Sequence, residues 1–186
     1  RRLRYVKPYL GKVAAPKVLE IGAALGFGLP EARKLFGTDI LACDVSQEAI
    51  TACQKLGFCA KQTDAYGVCE DIERHSLDMV YAFDVVEHLP DIRRFVNWLD
   101  KVLKPGGLFF VTTPDMDHVL NRILGSRSPS IKIPQHIIYF TSDTLAGALH
   151  PSFKLQAHSW DYQYVGFSML ASRLAHIMRF PPLKGN

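Results

Sequence analysis

The amino-acid sequence predicts an α/β protein: a doubly wound, mostly parallel sheet flanked by helices. Three observations carry that prediction. Short apolar, β-branched runs alternate with longer amphipathic segments, the pattern of strand–helix–strand units. The first run, Val18 to Ile21, ends in a turn carrying Gly22, Gly26 and Gly28. The chain has 186 residues, 48% hydrophobic and 22% charged, which suits one domain with a sizeable core.

The elements follow in order. After the first strand, Pro30 and Glu31 open a short helix ending near Gly37, with proline suited to a first turn. Asp39 to Cys43 reads as the second strand. Ser46 is positioned to cap a helix running through Leu56, with Gly57 as its stop. A weak third strand lies near Phe58 to Gln62, and Leu77 to Phe83 is the fourth. Asp91 to Leu103 is the clearest helix, because Ile92, Phe95, Val96, Leu99, Val102 and Leu103 make one apolar stripe. Pro105, Gly106 and Gly107 end it and lead into a strand at Leu108 to Thr113. Thr141 to Leu149 reads as a helix and Phe153 to Trp160 as a strand. Between them, Met116 to Pro134 is a long basic connection with a short helix around His118 to Leu124; such connections often serve as lids.

The composition narrows the function classes. The net charge of +4 permits contact with anionic partners without demanding it. No apolar run approaches the roughly 18 residues of a membrane span, and no signal peptide is visible. Cys43, Cys53, Cys59 and Cys69 lack C-x-x-C spacing, which argues against zinc and fits free thiols in a reducing cytoplasm. The chain begins at Arg1, which suggests a fragment of a longer protein.

The glycine turn is the most informative segment. A strand running into a glycine-rich turn lets backbone approach a ligand, and the following helix points its amides at it. Ala24 and Phe27 stand where a dinucleotide fingerprint needs its second and third glycines, and no P-loop ending is present. Glu20, inside the strand, gives the turn a negative side and favours a ligand bearing positive charge. A tight connection with no ligand is the alternative. Other polar residues follow later strands: Asp44 after the second, Asp64 and Ala65 after the third, and Asp84, Glu87 and His88 after the fourth. Ligands of doubly wound sheets bind at these carboxyl ends.

At this point the chain resembles the class I S-adenosylmethionine (SAM)-dependent methyltransferases, whose fold is Rossmann-like. The matching segments are V-L-E-I-G-A-A-L-G-F-G, A-C-D-V-S, T-D-A-Y, L-D-M-V-Y-A-F-D-V-V-E-H-L-P-D, L-K-P-G-G-L-F-F-V-T-T-P and P-Q-H-I-I-Y-F-T. They cover Arg2 to Asp161, and the nearest subgroup resembles ubiquinone O-methyltransferases. The resemblance implies a methyltransferase domain at 1–161, with a lid at 116–134 that covers the acceptor side and moves without substrate. It also implies SAM as cofactor. Gly22 and Gly26 would pass its methionine end, with Glu20 near the amino group and Arg2 on the carboxylate. Asp44 would hold the ribose with Val45 against the adenine. Asp64 and Ala65 would read the adenine edge, and Phe83 and Asp84 would lie beside the methyl donor. Ala24 departs from the family's usual glycine and is expected to crowd the cofactor. Arg2, so near a terminus, is open to fraying.

Methyl transfer to a hydroxyl needs alignment and a proton acceptor. His88 and His136 are the candidates, against the alternatives of a helix cap and a lid fastener. Asp84, Glu87 and His88 have the spacing of one helical face and could bind a divalent ion, or could be an acidic first turn; no metal is assigned. The acceptor is expected to be a small molecule presenting a hydroxyl. The N-P-P-Y motif of base-methylating enzymes is absent, so no nucleic acid is expected. A domain that binds SAM without turnover is the rival reading, and an NAD enzyme is disfavoured by the glycine spacing. Residues 162–186 read as a helical tail, with Phe167, Leu170, Leu174, Ile177 and Met178 near one face; as a basic amphipathic helix it could lie on a membrane surface. No seventh strand is recognisable, so the final antiparallel strand is expected to be missing and the chain truncated.

Overall fold

The computed structural model describes residues 2–66, 72–149, 152–165 and 169–179. Its strands are β1 (Val18–Ile21), β2 (Ile40–Asp44), β3 (Ala60–Gln62), β4 (Leu77–Phe83), β5 (Leu103–Pro114), β6 (Lys154–Val165) and β7 (Met169–Arg179). They form one sheet in the order β3-β2-β1-β4-β5-β7-β6. The pairs β2–β3, β1–β2, β1–β4 and β4–β5 are parallel, and β7 runs antiparallel to both β5 and β6. The chain winds outward from β1 to β3 and then returns to β4. The switch in direction therefore lies between β1 and β4, where the loops part to leave a crevice.

Helices cover both faces: α1 (Arg2–Leu10), α2 (Leu29–Phe36), α3 (Gln47–Lys55), α4 (Ile92–Val102), α5 (Val119–Leu124) and α6 (Ser142–Leu149). Successive strand residues serve opposite faces. Val18, Met79, Tyr81, Leu108 and Phe110 pack with residues of α1, α2 and α3; Leu19, Ile21, Val80, Ala82 and Phe109 pack with α4 and α6. Local signals set the helix ends. Ser46 Oγ accepts from the Ala49 N–H at 3.3 Å to cap α3, and Asp91 Oδ1 accepts from the Arg94 N–H at 2.9 Å to cap α4. Gly37 closes α2 in the left-handed conformation, φ 68°.

Two expectations are corrected. The tail is not a helix: residues 169–179 are β7, the antiparallel strand expected to be missing. Leucine, alanine, arginine and methionine favour helix intrinsically. Here β5 and β6 offer backbone partners on both sides, and that pairing outweighs propensity. Met178, buried in the α4–α6 core, anchors the strand. The amphipathic helix that motivated a membrane-surface contact is thus absent from these residues; Phe167 and residues 180–186 lie outside the described ones. No helix among the described residues is long and apolar enough to cross a membrane. The second correction is Arg2, which is not frayed. It lies in α1 with its guanidinium 5.1 Å from the Phe83 ring centroid and 3.6 Å from Asp84 Oδ2.

Candidate functional site

A cavity of about 460 Å³ opens at the carboxyl ends of β1 to β4. Gly22, Asp44, Val45, Asp64, Ala65, Asp84 and His88 line it, joined by Ile21, Cys43, Thr63, Tyr66, Val85, Leu89 and Pro90. Gly22 is dictated by geometry. Its φ is +73°, and a Cβ there would stand 2.4 Å from Val85 Cγ2. Ala24 holds φ +48° without being glycine, which places strain in the same turn. Gly26 is buried at φ +73°, where a Cβ would come within 3.0 Å of Cys53 Sγ.

Asp44 fastens the turn to β2. Its Oδ2 accepts from the Ala24 N–H and its Oδ1 from the Ser46 N–H, both at 2.9 Å. Each oxygen keeps a second lone pair for a ligand hydroxyl. Val45 beside it is 68% exposed, an apolar surface available to a flat ring. Asp64 Oδ1 accepts from the Tyr66 N–H at 2.9 Å, which fixes the loop after β3. Three carboxylates and no lysine or arginine line the cavity among the described residues. That donor set suits a ligand with positive charge and hydroxyls and disfavours a chain of phosphates. The residues present therefore fit SAM, with its sulfonium and ammonium groups and its ribose.

Six of the sequence-predicted residues, Arg2, Glu20, Ala24, Gly26, Phe83 and His136, lie outside the cavity lining. Glu20 is buried behind the turn, on the α2 face, where Tyr81 stands opposite it in the β1–β4 register. The Tyr81 hydroxyl donates to Glu20 Oε2 at 2.8 Å. Burial raises the Glu20 carboxyl to about 7, against the lowering effect of that hydrogen bond. Phe83 packs on Tyr81 and edge-on to Phe110, its ring centroids 5.2 and 5.5 Å away. Arg2 reaches Asp84. Ala24 meets Asp44 through its backbone.

At the β4 side, His88 and His136 come together from separate segments, their rings edge-to-face at 4.9 Å. Each Nδ1 lies on a backbone carbonyl, His88 on Gln135 O at 2.6 Å and His136 on Ser130 O at 3.0 Å. A carbonyl only accepts, so each Nδ1 carries a proton, which leaves Nε2 as the ring nitrogen that can accept one. Glu87 stands with them, 1% exposed, its carboxyl raised chiefly by burial. Thr113 Oγ1 donates to Glu87 Oε2 at 3.0 Å, while Oε1 has no hydrogen-bond partner among the described residues. The Ile137 and Ile138 N–H groups donate to the Glu87 carbonyl, tying the end of the long connection to the loop after β4. One ligand-type atom from each of Glu87, His88 and His136 lies within 4.8 Å of the others. The sequence spacing had instead grouped Asp84 with Glu87 and His88. Asp84 takes φ +59° ahead of a short 3₁₀ turn at Val86–His88, so no α-helical face forms there.

Sequence reasoning missed Tyr66, Val85, Leu89 and Pro90 as lining and Thr113 as a partner. Tyr66 closes the matched segment T-D-A-Y and was within reach. The apolar lining residues look like any core residue in a sequence.

Comparison with known proteins identifies the family and the fold. A methyltransferase-domain family profile matches residues 2–152. The ubiquinone biosynthesis O-methyltransferase of Idiomarina loihiensis is 27% identical over 142 residues, 74% of this chain and 56% of that protein. The chain spans about half the length of such curated relatives. Among solved structures, a SAM-dependent methyltransferase from Methanosarcina mazei superposes with TM-score 0.77 at 17% identity, covering 96% of this chain and 97% of that one. The N-methyltransferase NodS from Bradyrhizobium japonicum, solved with S-adenosylhomocysteine, gives TM-score 0.67 at 20% identity over 97% and 86%. At these identities the structural likenesses establish the fold.

Proposed function

The chain belongs to the class I SAM-dependent methyltransferases, and from that membership we propose that it carries the methyl group of SAM to a hydroxyl oxygen of a small-molecule acceptor. The observation that carries the reading is the carboxylate-lined cavity running from Asp44 to His88 at the switch point of the sheet. SAM, when bound, would supply a methyl group on a positively charged sulfur, the carbon to which an acceptor oxygen would bond as the sulfur leaves in S-adenosylhomocysteine.

The chain's own residues do the rest. Gly22 and Gly26 let backbone approach the ligand, and Glu20 stands buried behind that turn. Asp44, held by two backbone donors, accepts from ribose hydroxyls. Val45 covers the adenine face, and Asp64 with the Ala65 N–H reads the adenine edge. Asp84 stands beside the sulfonium end with Phe83 and Arg2 behind it. His88 and His136, with Nδ1 committed to carbonyls, take the acceptor's proton at Nε2. The segment 116–134 covers the acceptor side and excludes water. The ubiquinone relatives favour oxygen as the methylated atom.

One observation favours a second reading, a domain that binds SAM without turnover: Ala24 strains the cofactor turn. Incubation with SAM and a panel of phenols and catechols decides between them. S-adenosylhomocysteine forming only with an acceptor present, and lost in His88→Gln, supports transfer; SAM binding with no product across hydroxyl and amine panels supports the second reading.

A further inference from the structure

Helix α5 is built inside out. It exposes Val119 (59%) and Ile123 (73%) and buries Asn121 (6%). The loop that follows is apolar and basic outside, yet it buries Ser128, Ser130 and His136. A helix gives up apolar burial in favour of an amide only where that amide is fully bonded. Here the amide nitrogen and the amide oxygen each have a partner, and the bonds run in one direction. Asn121 Nδ2 donates to the carbonyl of Asp115, just past β5. Asn121 Oδ1 accepts from the Ser128 hydroxyl. Ser128 Oγ, its proton thus committed, accepts from the Ser130 N–H at 3.1 Å. The Ser130 carbonyl accepts from His136 Nδ1 at 3.0 Å.

We infer that Asn121 and Ser128 are positioning residues for His136, their relay from the end of β5 holding its ring in the Nδ1-protonated form. The inference rests on the reading in which the histidine pair takes the acceptor's proton. An amide at 121 is needed at both ends, because the Asp115 carbonyl requires a donor and the Ser128 hydroxyl an acceptor. A hydroxyl at 128 is needed because it must donate and accept at once. With either lost, the Ser130 N–H loses its anchored partner, and the carbonyl that selects the His136 tautomer is held only by the turn in which the Ile131 N–H donates to the Ser128 carbonyl.

The test is nuclear magnetic resonance of the full chain with ¹⁵N-labelled histidine, with the His136 signals assigned through His136→Gln. Wild type shows a protonated Nδ1 and an unprotonated Nε2, widely split. Ser128→Ala and Asn121→Asp lose that split while SAM affinity, read by calorimetry on the same samples, is retained; Ser128→Thr restores it. A purely structural role would leave the tautomer alone. A wild-type ring protonated at Nε2 overturns the inference, as does an unchanged split in either folded variant. If Ser128→Ala does not fold, Asn121→Asp decides. The readout needs neither acceptor nor turnover. Failure of the base assignment shows separately, as undiminished turnover of His88→Gln and His136→Gln with the tautomer result intact.

Discussion

Glu20 should make the folded chain less stable as pH rises, and Glu20→Gln should remove that dependence. In the folded protein its carboxyl titrates at about 7, against 4.5 for an unburied one. Below pH 4.5 the group is protonated in both states and contributes nothing. Between 4.5 and about 7 the unfolded chain has released its proton while the folded chain still holds it. Folding then takes a proton up, so stability falls with rising pH. Above that window the loss is complete, about 3 kcal/mol for the full gap. Glutamine keeps a carbonyl oxygen for the Tyr81 hydroxyl and has no proton to lose. Urea unfolding without cofactor, at pH 4.5 and pH 8, measures the difference between wild type and variant. The two should agree within about 1 kcal/mol at the lower pH, with the variant more stable by about 3 kcal/mol at the higher. A difference that is the same at both values would refute a Glu20 whose ionisation is opposed by burial.

The remaining predictions concern the turn that borders the cavity. Gly22→Ala forces a side chain into φ +73° and against Val85 Cγ2, and should cost about 2–5 kcal/mol of stability. Val85→Ala in that background should recover the contact share but not the backbone share; no recovery would show that the collision is relieved some other way. Ala24→Gly removes the strain at φ +48° and should leave stability within about 1 kcal/mol, because glycine also loosens the unfolded chain. SAM binding should tighten modestly or stay unchanged by calorimetry, and a large loss would mean that the Ala24 methyl group packs usefully.

Much of this architecture was legible because its signals are local. Ser46, Asp91 and Gly37 end their helices through bonds that reach only a few residues, and the Val18–Ile21 strand needs nothing beyond its own apolar run. β7 was misread because its conformation is set by β5 and β6, while its own residues favour helix. α1 was not foreseen, since its anchoring at Asp84 and Phe83 is tertiary. The site divides the same way. Asp44, Asp64 and Asp84 could be nominated because each stands at or just past the carboxyl end of a strand. The pairing of His88 with His136, the burial of Glu87 and the relay through Asn121 and Ser128 depend on how a long connection folds back onto β4. No short-range pattern encodes that.

The central claim is that the cavity at the β1–β4 switch binds SAM through Asp44. Calorimetric titration of the wild type and of Asp44→Ala with SAM tests it directly, with NAD as control. The wild type should bind SAM one to one and show no heat with NAD. Asp44→Ala should weaken SAM by about 1.5–3 kcal/mol, the scale of lost charge-assisted hydrogen bonds. An Asp44→Ala variant that binds SAM as tightly as the wild type, or a wild type that binds NAD in preference to SAM, would contradict the account.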